Sequence, residues 1–310
     1  MPKVSICIPA YNQTQYLKKT LQSILIQSYQ DYEVIITDDT PSTLISDLIR
    51  EYDFKGKLKY YHNVSPLGSP QNWNFCISKA QGEYIKILHH DDWFTSHDSL
   101  AKFVKIFDDN PQIVFAFSSS QALYEDEKKN FTHTIIDEQL FEIQSNPFLL
   151  FLGNKIGGPS AIIFRKESGI FFDQKLKWLV DIDFYISSLV KYNEVKYISD
   201  TLITTFAAED RISNFCYDNK IVEVFEHFYL YEKIASIYSK YKAYSLNKCF
   251  IHLSSICDKY DITKISDIRD CGYIGKIHLS VRIYLLLKNV FGQFFIKKAI
   301  LSVSRLGYLR

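Results

Sequence analysis

The sequence predicts an α/β fold, a mostly parallel sheet flanked by helices with a helical C-terminal region, and three observations lead to it. Short β-branched or aliphatic runs alternate with segments whose apolar residues recur at helical spacing, from Val4 to Lys191. Two of those runs, Val34 to Thr37 and Tyr84 to Leu88, lead into acidic pairs, Asp38-Asp39 and, after two histidines, Asp91-Asp92. Beyond Asn214 the strand-like runs disappear, and helical spacing rich in Tyr and Phe continues to the end.

The elements follow in order. Val4 to Pro9 reads as a strand ended by proline and by the polar turn Tyr11-Asn12-Gln13. Leu17, Leu21, Ile24 and Leu25 give a helix over Tyr16 to Gln27 with one apolar face. Glu33 to Thr37 is a second strand, and Thr40-Pro41-Ser42 opens a helix near Leu44 to Tyr52. Leu58 to Tyr61 is a third strand, followed by the loop Ser65 to Pro70, a helix from Gln71 to Ala80 and a fourth strand into Asp91-Asp92. Crossovers of this length imply parallel strands wound in the right-handed sense. A helix over 99 to 110 stops at Asn110-Pro111; Ile113 to Ser118 is a strand, and Tyr124 to Asn130 a solvated hairpin or loop. Gly157-Gly158-Pro159-Ser160 precedes a strand over Ala161 to Phe164, and Asp181 to Lys191 is helical. These limits divide the chain into residues 1–214 and a helical region over 215–310.

The 310 residues are 47% hydrophobic, ample for one large or two smaller cores. A formal net charge of +1 gives no global argument for nucleic acid as a partner. Six cysteines without CxxC or metal-type spacing read as reduced, mostly buried thiols of a cytoplasmic protein. No signal peptide is expected before Pro2, nor a membrane span, since Arg282, Lys288 and Gln293 interrupt the apolar stretch Ile277 to Ile296. From Cys271 to Arg310, however, seven Lys or Arg face no Asp or Glu. Interleaved with Leu, Ile and Phe, they fit helices lying on an anionic membrane surface, or a core helix with a basic outer face.

Ligands bind at strand ends in an open α/β sheet. Carboxylates gathered there suit a divalent ion, Mn²⁺ or Mg²⁺, against phosphates, because hard oxygen ligands hold such ions. Asp also caps helices well, so each pair alone has a second reading.

Taken together, Val4 to Asn12, Val34 to Asp39, Asn72-Trp73-Asn74 with Ala80 to Ile85, and Asp91-Asp92 resemble the nucleotide-binding half of family 2 glycosyltransferases. Gly158-Pro159-Ser160-Ala161 and Trp178 to Asp183 resemble the acceptor half, so the resemblance covers roughly residues 3 to 213. It implies a GT-A fold and an inverting transfer of sugar from a nucleoside-diphosphate donor. Donor binding falls to Pro9, Tyr11 and Asp39; the Tyr11 ring offers a stacking face, and Asp39 accepts from an imide-type base edge such as uracil. Asp92 matches the metal-binding carboxylate, Asp91 its ribose-facing neighbour, and Asp181 the base that takes the acceptor hydroxyl's proton. Arg211 sits where the family commonly closes a basic segment over the diphosphate. Asp181 also fits a helix cap, and Arg211 a surface partner of Glu209 or Asp210.

Two positions depart from the family's pattern: His89 stands where members often carry another acid, and Trp73 where many carry Arg. Trp93 and Trp178 are candidate platforms for acceptor sugars or core fillers. The reading is therefore a cytoplasmic, metal-dependent UDP-sugar glycosyltransferase peripheral to the inner face of the cell membrane, extending a surface glycan or lipid-linked acceptor, with donor, acceptor and bilayer as its expected partners. A nucleotidyltransferase is the second reading, although Ala10 to Thr14 lacks a glycine- and basic-rich loop; a non-catalytic nucleotide-sugar-binding scaffold is the third.

Overall fold

The computed structural model describes residues 1–207, 212–237 and 243–290. The chain divides into two compact units. The first holds Met1–Gln144, Lys155–Lys175 and Phe184–Glu209; the second holds Ser145–Asn154, Leu176–Asp183 and Asp210–Arg310.

In the first unit, strands β1 (Val4–Ala10), β2 (Tyr32–Asp38), β3 (Leu58–His62), β4 (Tyr84–Ile87), β5 (Asp92–Phe94), β6 (Phe115–Leu123), β7 (Phe131–His133), β8 (Ile162–Arg165) and β9 (Lys196–Phe206) share one sheet. Their order is β3-β2-β1-β4-β8-β6-β9-β5, with β7 paired to β6. The β3-β2-β1-β4 half is parallel, as the alternation of strands and helices predicts. β8 enters antiparallel between β4 and β6, β6 and β9 run parallel, and β5 closes antiparallel on β9. The run Tyr124 to Asn130 is the connection of the β6–β7 hairpin.

Helices α1 (Thr14–Leu25), α2 (Leu44–Ile49), α3 (Gln71–Lys79) and α4 (Ser99–Asp109) connect the strands. Leu17, Leu21 and Ile24 of α1 and Leu100, Phe103, Val104 and Phe107 of α4 are fully buried with Ile6, Ile8, Val34 and Ile36 of the sheet. Each such side chain stabilises the fold by about 1.5–3 kcal/mol. Two residues make the parallel half work. The β1–β4 ladder stops at Cys7, so Pro9 lacks its N–H only where β1 has lost that neighbour. Gly82 lies so close to β1 that a Cβ would stand 2.6 Å from the Ser5 backbone nitrogen. Its N–H donates to the Ser5 hydroxyl at 2.8 Å, and that hydroxyl donates to buried Glu33 at 2.6 Å.

α5 (Asp137–Ser145) and α6 (Val180–Tyr192) each contribute residues to both units. The second unit is helical, with α7 (Ile212–Cys216), α8 (Lys220–Ile237), α9 (Ala243–Lys259), α10 (Ile265–Asp270) and a helix over 279–290. Val224, Phe228 and Tyr231 of α8, Leu253 and Cys257 of α9, and Val281, Tyr284 and Leu285 are buried in it. Lys288 is interior, paired with Asp258 at 3.0 Å, which removes it from the basic surface that its sequence neighbours suggest. Lys276 and Arg282 are exposed, whereas Lys297, Lys298, Arg305 and Arg310 lie outside the described residues. All six cysteines are free and buried. Among the described residues no helix is long and apolar enough to cross a membrane.

Candidate functional site

From β1 the chain moves to β2 and β3 on one side, then returns to place β4 on the other. In doubly wound sheets ligands bind where the strand order reverses in this way, beyond the carboxyl ends of the strands, here β1 and β4. Pro9, Tyr11, Asp39, Asp91 and Asp92 all stand at these strand ends, within the first unit. The Pro9 carbonyl accepts from His90 Nδ1 at 3.1 Å, which joins the end of β1 to the loop after β4. A carbonyl only accepts, so His90 carries its proton on Nδ1.

The two aspartates after β2 differ in their work. Asp38 is fully buried and accepts from the Thr40 N–H at 2.8 Å and the Tyr60 hydroxyl at 2.7 Å, a structural role. Burial and that Asp38 bond raise the Tyr60 pKa. Asp39 receives the Asn63 amide (2.7 Å) and the N–H groups of Leu67 (3.0 Å) and Gly68 (2.8 Å). A carboxylate has about four acceptor positions, so Asp39 fastens the loop before α3 and keeps room for one further donor. Tyr11 is 51% exposed beside it. The next residue, Asn12, takes a left-handed φ of 55°, and its N–H donates to the Thr40 hydroxyl at 2.8 Å, which fixes the turn that carries the ring.

Asp92 opens β5, 5% exposed and opposite Thr205 of β9. Its backbone and that of His90 are held by the Thr20 hydroxyl of α1, 2.8 and 3.0 Å from their carbonyls. The His89 N–H donates to the Ser160 hydroxyl at 2.9 Å, so the Gly158-Pro159-Ser160 segment anchors this loop from the far side. One ligand atom each of His89, Asp91 and Asp92 lies within 4.8 Å of the others. Two carboxylates and an imidazole form a donor set that fits a divalent ion. The His89 ring packs on Trp73, centroids 4.5 Å apart, and Trp73 in turn meets Phe172 edge-on at 5.1 Å.

Sequence reasoning missed Lys86. It is fully buried on β4, donates to the carbonyls of Ile87 (2.8 Å) and Ser160, and stands 4.8 Å over the Phe103 ring. Burial pushes its ammonium down to about 7, against the pull of the Asp92 charge. The available signal is one lysine inside the apolar run Tyr84 to Leu88.

Asp181 belongs to the second unit, in the first turn of α6. It is partly exposed, yet desolvation pushes its carboxyl up to about 7, with the Glu226 charge adding to the rise and the Ile182 N–H and Asn154 amide opposing it. The amide donates at 2.8 Å. Glu226 of α8, also unforeseen, is 2% exposed and collects the N–H groups of Lys177 (2.8 Å), Trp178 (3.0 Å) and Leu179 (2.7 Å), the residues that lead into Asp181. Asp183 instead pairs with Lys233 at 2.6 Å. Trp178 meets Tyr217 and His227 edge-on, and Trp93 lies 5.0 Å beneath the Lys19 ammonium. Arg211 lies outside the described residues.

Residues 5–170, just over half of the chain, match the model of glycosyl transferase family 2. An uncharacterized glycosyltransferase of Methanocaldococcus jannaschii is 29% identical over 217 residues, 69% of this chain and 72% of that protein. One from Rickettsia bellii is 32% identical over 126 residues, 41% of this chain and only 18% of that protein. The match to a Mycobacterium tuberculosis protein, 26% identical over 61% of this chain, spans 63% of that relative, so the chain spans less than two thirds of the relatives it matches first. Among solved structures, Staphylococcus aureus TarS 1-349 with UDP-GlcNAc superposes with a TM-score of 0.64 at 16% identity, over 86% of this chain and 77% of that one. A mannosyltransferase of Pyrobaculum calidifontis with GDP-Man and Mn²⁺ gives 0.55 at 14% identity, over 99% and 87%.

Proposed function

The chain belongs to glycosyl transferase family 2, and on that premise we propose that it transfers a sugar, with inversion, from a nucleoside-diphosphate donor to a hydroxyl of a glycan or lipid-linked acceptor. The observation that carries this reading is the His89-Asp91-Asp92 group at the strand-end side of the sheet where Tyr11 and Asp39 also stand. TarS is described with UDP-GlcNAc and the mannosyltransferase with GDP-Man and Mn²⁺, which supports a nucleotide-sugar donor; the imide-accepting Asp39 favours UDP.

Each residue has a task. Tyr11 stacks on the base, the remaining acceptor position of Asp39 takes a base N–H, Pro9 forms the wall beside them, and Asp91 faces the ribose. Asp92, with the Asp91 oxygen not turned to the ribose, would hold a divalent ion, which when bound would supply positive charge beside the diphosphate as its negative charge grows. The acceptor oxygen forms its bond to the anomeric carbon as the bond to the diphosphate oxygen breaks. Asp181 takes the hydroxyl proton, the bonding pair leaves on the diphosphate, and Arg211 stabilises that leaving group. A base with a pKa near 7 is well matched to this step. The role in surface-glycan synthesis rests on family analogy. Peripheral contact with an anionic bilayer is supported by the exposed stripe Leu279, Ile283, Leu286 and Val290 in a stretch without acidic residues.

The test is thermal stabilisation by UDP, GDP, CDP and dTDP, each with and without Mn²⁺, in wild type and Asp92→Asn. A ligand at 100 times its Kd stabilises by about 2.7 kcal/mol. A Mn²⁺-dependent rise in Tm with UDP, lost in Asp92→Asn, is expected. No rise with any nucleotide in folded protein would sink the donor-site reading.

A further inference from the structure

We propose that His89 supplies a nitrogen ligand to the divalent ion of this site and that Trp73 holds its ring for the purpose, so that the site takes a first-row transition ion in preference to Mg²⁺. The proposal rests on the reading of Asp91 and Asp92 as metal ligands, and it deepens that reading.

Three observations carry it. A ring nitrogen of His89 lies within 4.8 Å of the Asp91 and Asp92 oxygens. Ligand atoms around one small divalent ion at bonds of about 2.1 Å stand about 3 Å apart in cis positions and about 4.2 Å apart in trans positions, so closure asks for side-chain shifts on the order of an ångström. Second, the residue is held at two points, its backbone by the N–H donated to the Ser160 hydroxyl at 2.9 Å and its ring by the tilted Trp73 indole, centroids 4.5 Å apart. Third, of the two adjacent histidines it is His89 whose ring nitrogen groups with the two carboxylates, while His90 donates its Nδ1 proton to the Pro9 carbonyl at 3.1 Å at the end of β1. His89 is therefore the imidazole assigned to the ion. The two places where this sequence departs from the family's common pattern, Trp for Arg at 73 and His for an acid at 89, touch each other. The aromatic ring at 73 brings no competing cation beside the imidazole. It also limits the ring's rotation, which lowers the entropy lost on coordination.

The consequence is chemical selectivity. Mg²⁺ prefers oxygen donors, whereas transition ions gain from imidazole and follow the order Mn²⁺ below Co²⁺ below Ni²⁺. Replacing a carboxylate by a neutral imidazole also removes one negative charge, which weakens the hard ion most.

The experiment uses the full chain loaded with Mn²⁺ in the presence of UDP and reads nitrogen-14 modulation by pulsed electron paramagnetic resonance. Tm shifts with Mn²⁺, Co²⁺ and Mg²⁺ alone accompany it. Histidine-type modulation is expected in wild type and absent in His89→Asp. Co²⁺ and Mn²⁺ should raise Tm more than Mg²⁺ in wild type, with the gap narrowing in His89→Asp. Trp73→Leu should keep the modulation with at least threefold weaker Mn²⁺ binding. Bound Mn²⁺ without nitrogen modulation, or modulation that survives His89→Asp, overturns the nitrogen ligand while leaving the carboxylate site standing. Failure of wild type to bind Mn²⁺ at all overturns both. Absence of nitrogen modulation in the wild-type spectrum overturns the nitrogen ligand even if a variant fails to fold.

Discussion

Asp181 is the residue whose titration should be visible in turnover. Burial raises its carboxyl to about 7, so the fraction ionised falls as pH drops through that value. As a general base it must be ionised, and kcat/KM is expected to fall about tenfold per pH unit below an acid limb near 7, where an ordinary aspartate would place the limb near about 4. Asp181→Asn should lose about 10²–10⁴ in kcat and retain donor binding; equal turnover in the variant would remove the base assignment. Gly82 is a structural counterpart. Its missing Cβ would meet the Ser5 nitrogen at 2.6 Å, so Gly82→Ala should cost about 2–3 kcal/mol in urea unfolding, by overpacking against backbone. The strand-end placement of Tyr11, Asp39 and Asp91-Asp92 was legible because each sits next to the strand that delivers it. Lys86 and Glu226 were not, since their partners Ser160 and Leu179 lie far off in the chain; a lysine inside an apolar run marks Lys86 as unusual without saying what it meets, and Glu226 has no local mark at all.

At the scale of elements, the entry to α6 depends on α8. Three successive N–H groups at 177–179 end on one buried carboxylate, Glu226. Glu226→Gln keeps one carbonyl acceptor but turns an NH₂ toward those donors, and about 2–4 kcal/mol should be lost, seen as a lower urea midpoint. Removing the negative charge should also move the acid limb of kcat/KM to lower pH, because Glu226 raises Asp181. An unmoved limb in a folded variant would show that the charge does not reach the base. The parallel strands β1 to β4 were legible from periodicity, but β5 and β9 were not expected. Three residues are too few to show alternation, and β9 pairs irregularly with β6 around Ser118 to Ser120. The helical character after 214 was legible, whereas the inclusion of 145–154 and 176–183 in the second unit was not, since contacts such as Glu226 with 177–179 decide it.

For the whole molecule, the exposed stripe on the helix over 279–290 predicts a surface event. Ile283→Glu with Leu286→Glu should lower co-sedimentation with anionic vesicles at least tenfold and leave Tm unchanged, as both side chains are exposed. Unchanged co-sedimentation would leave the bilayer without support. The sheet order has another consequence, in time. β5 begins with Asp92, directly after β4 in the chain, yet its partner β9 spans Lys196–Phe206, and the Ser160 that grips the same loop also comes late. A nascent chain emerging from the ribosome can assemble the parallel strands early and hold the acidic loop through Thr20 and the Pro9 carbonyl, but the β9 half of its frame arrives only when some hundred further residues have left the tunnel, at about 5–20 residues per second. For those seconds the parallel half of the sheet stands without the far wall of its acidic loop, and the site proposed for chemistry is completed last.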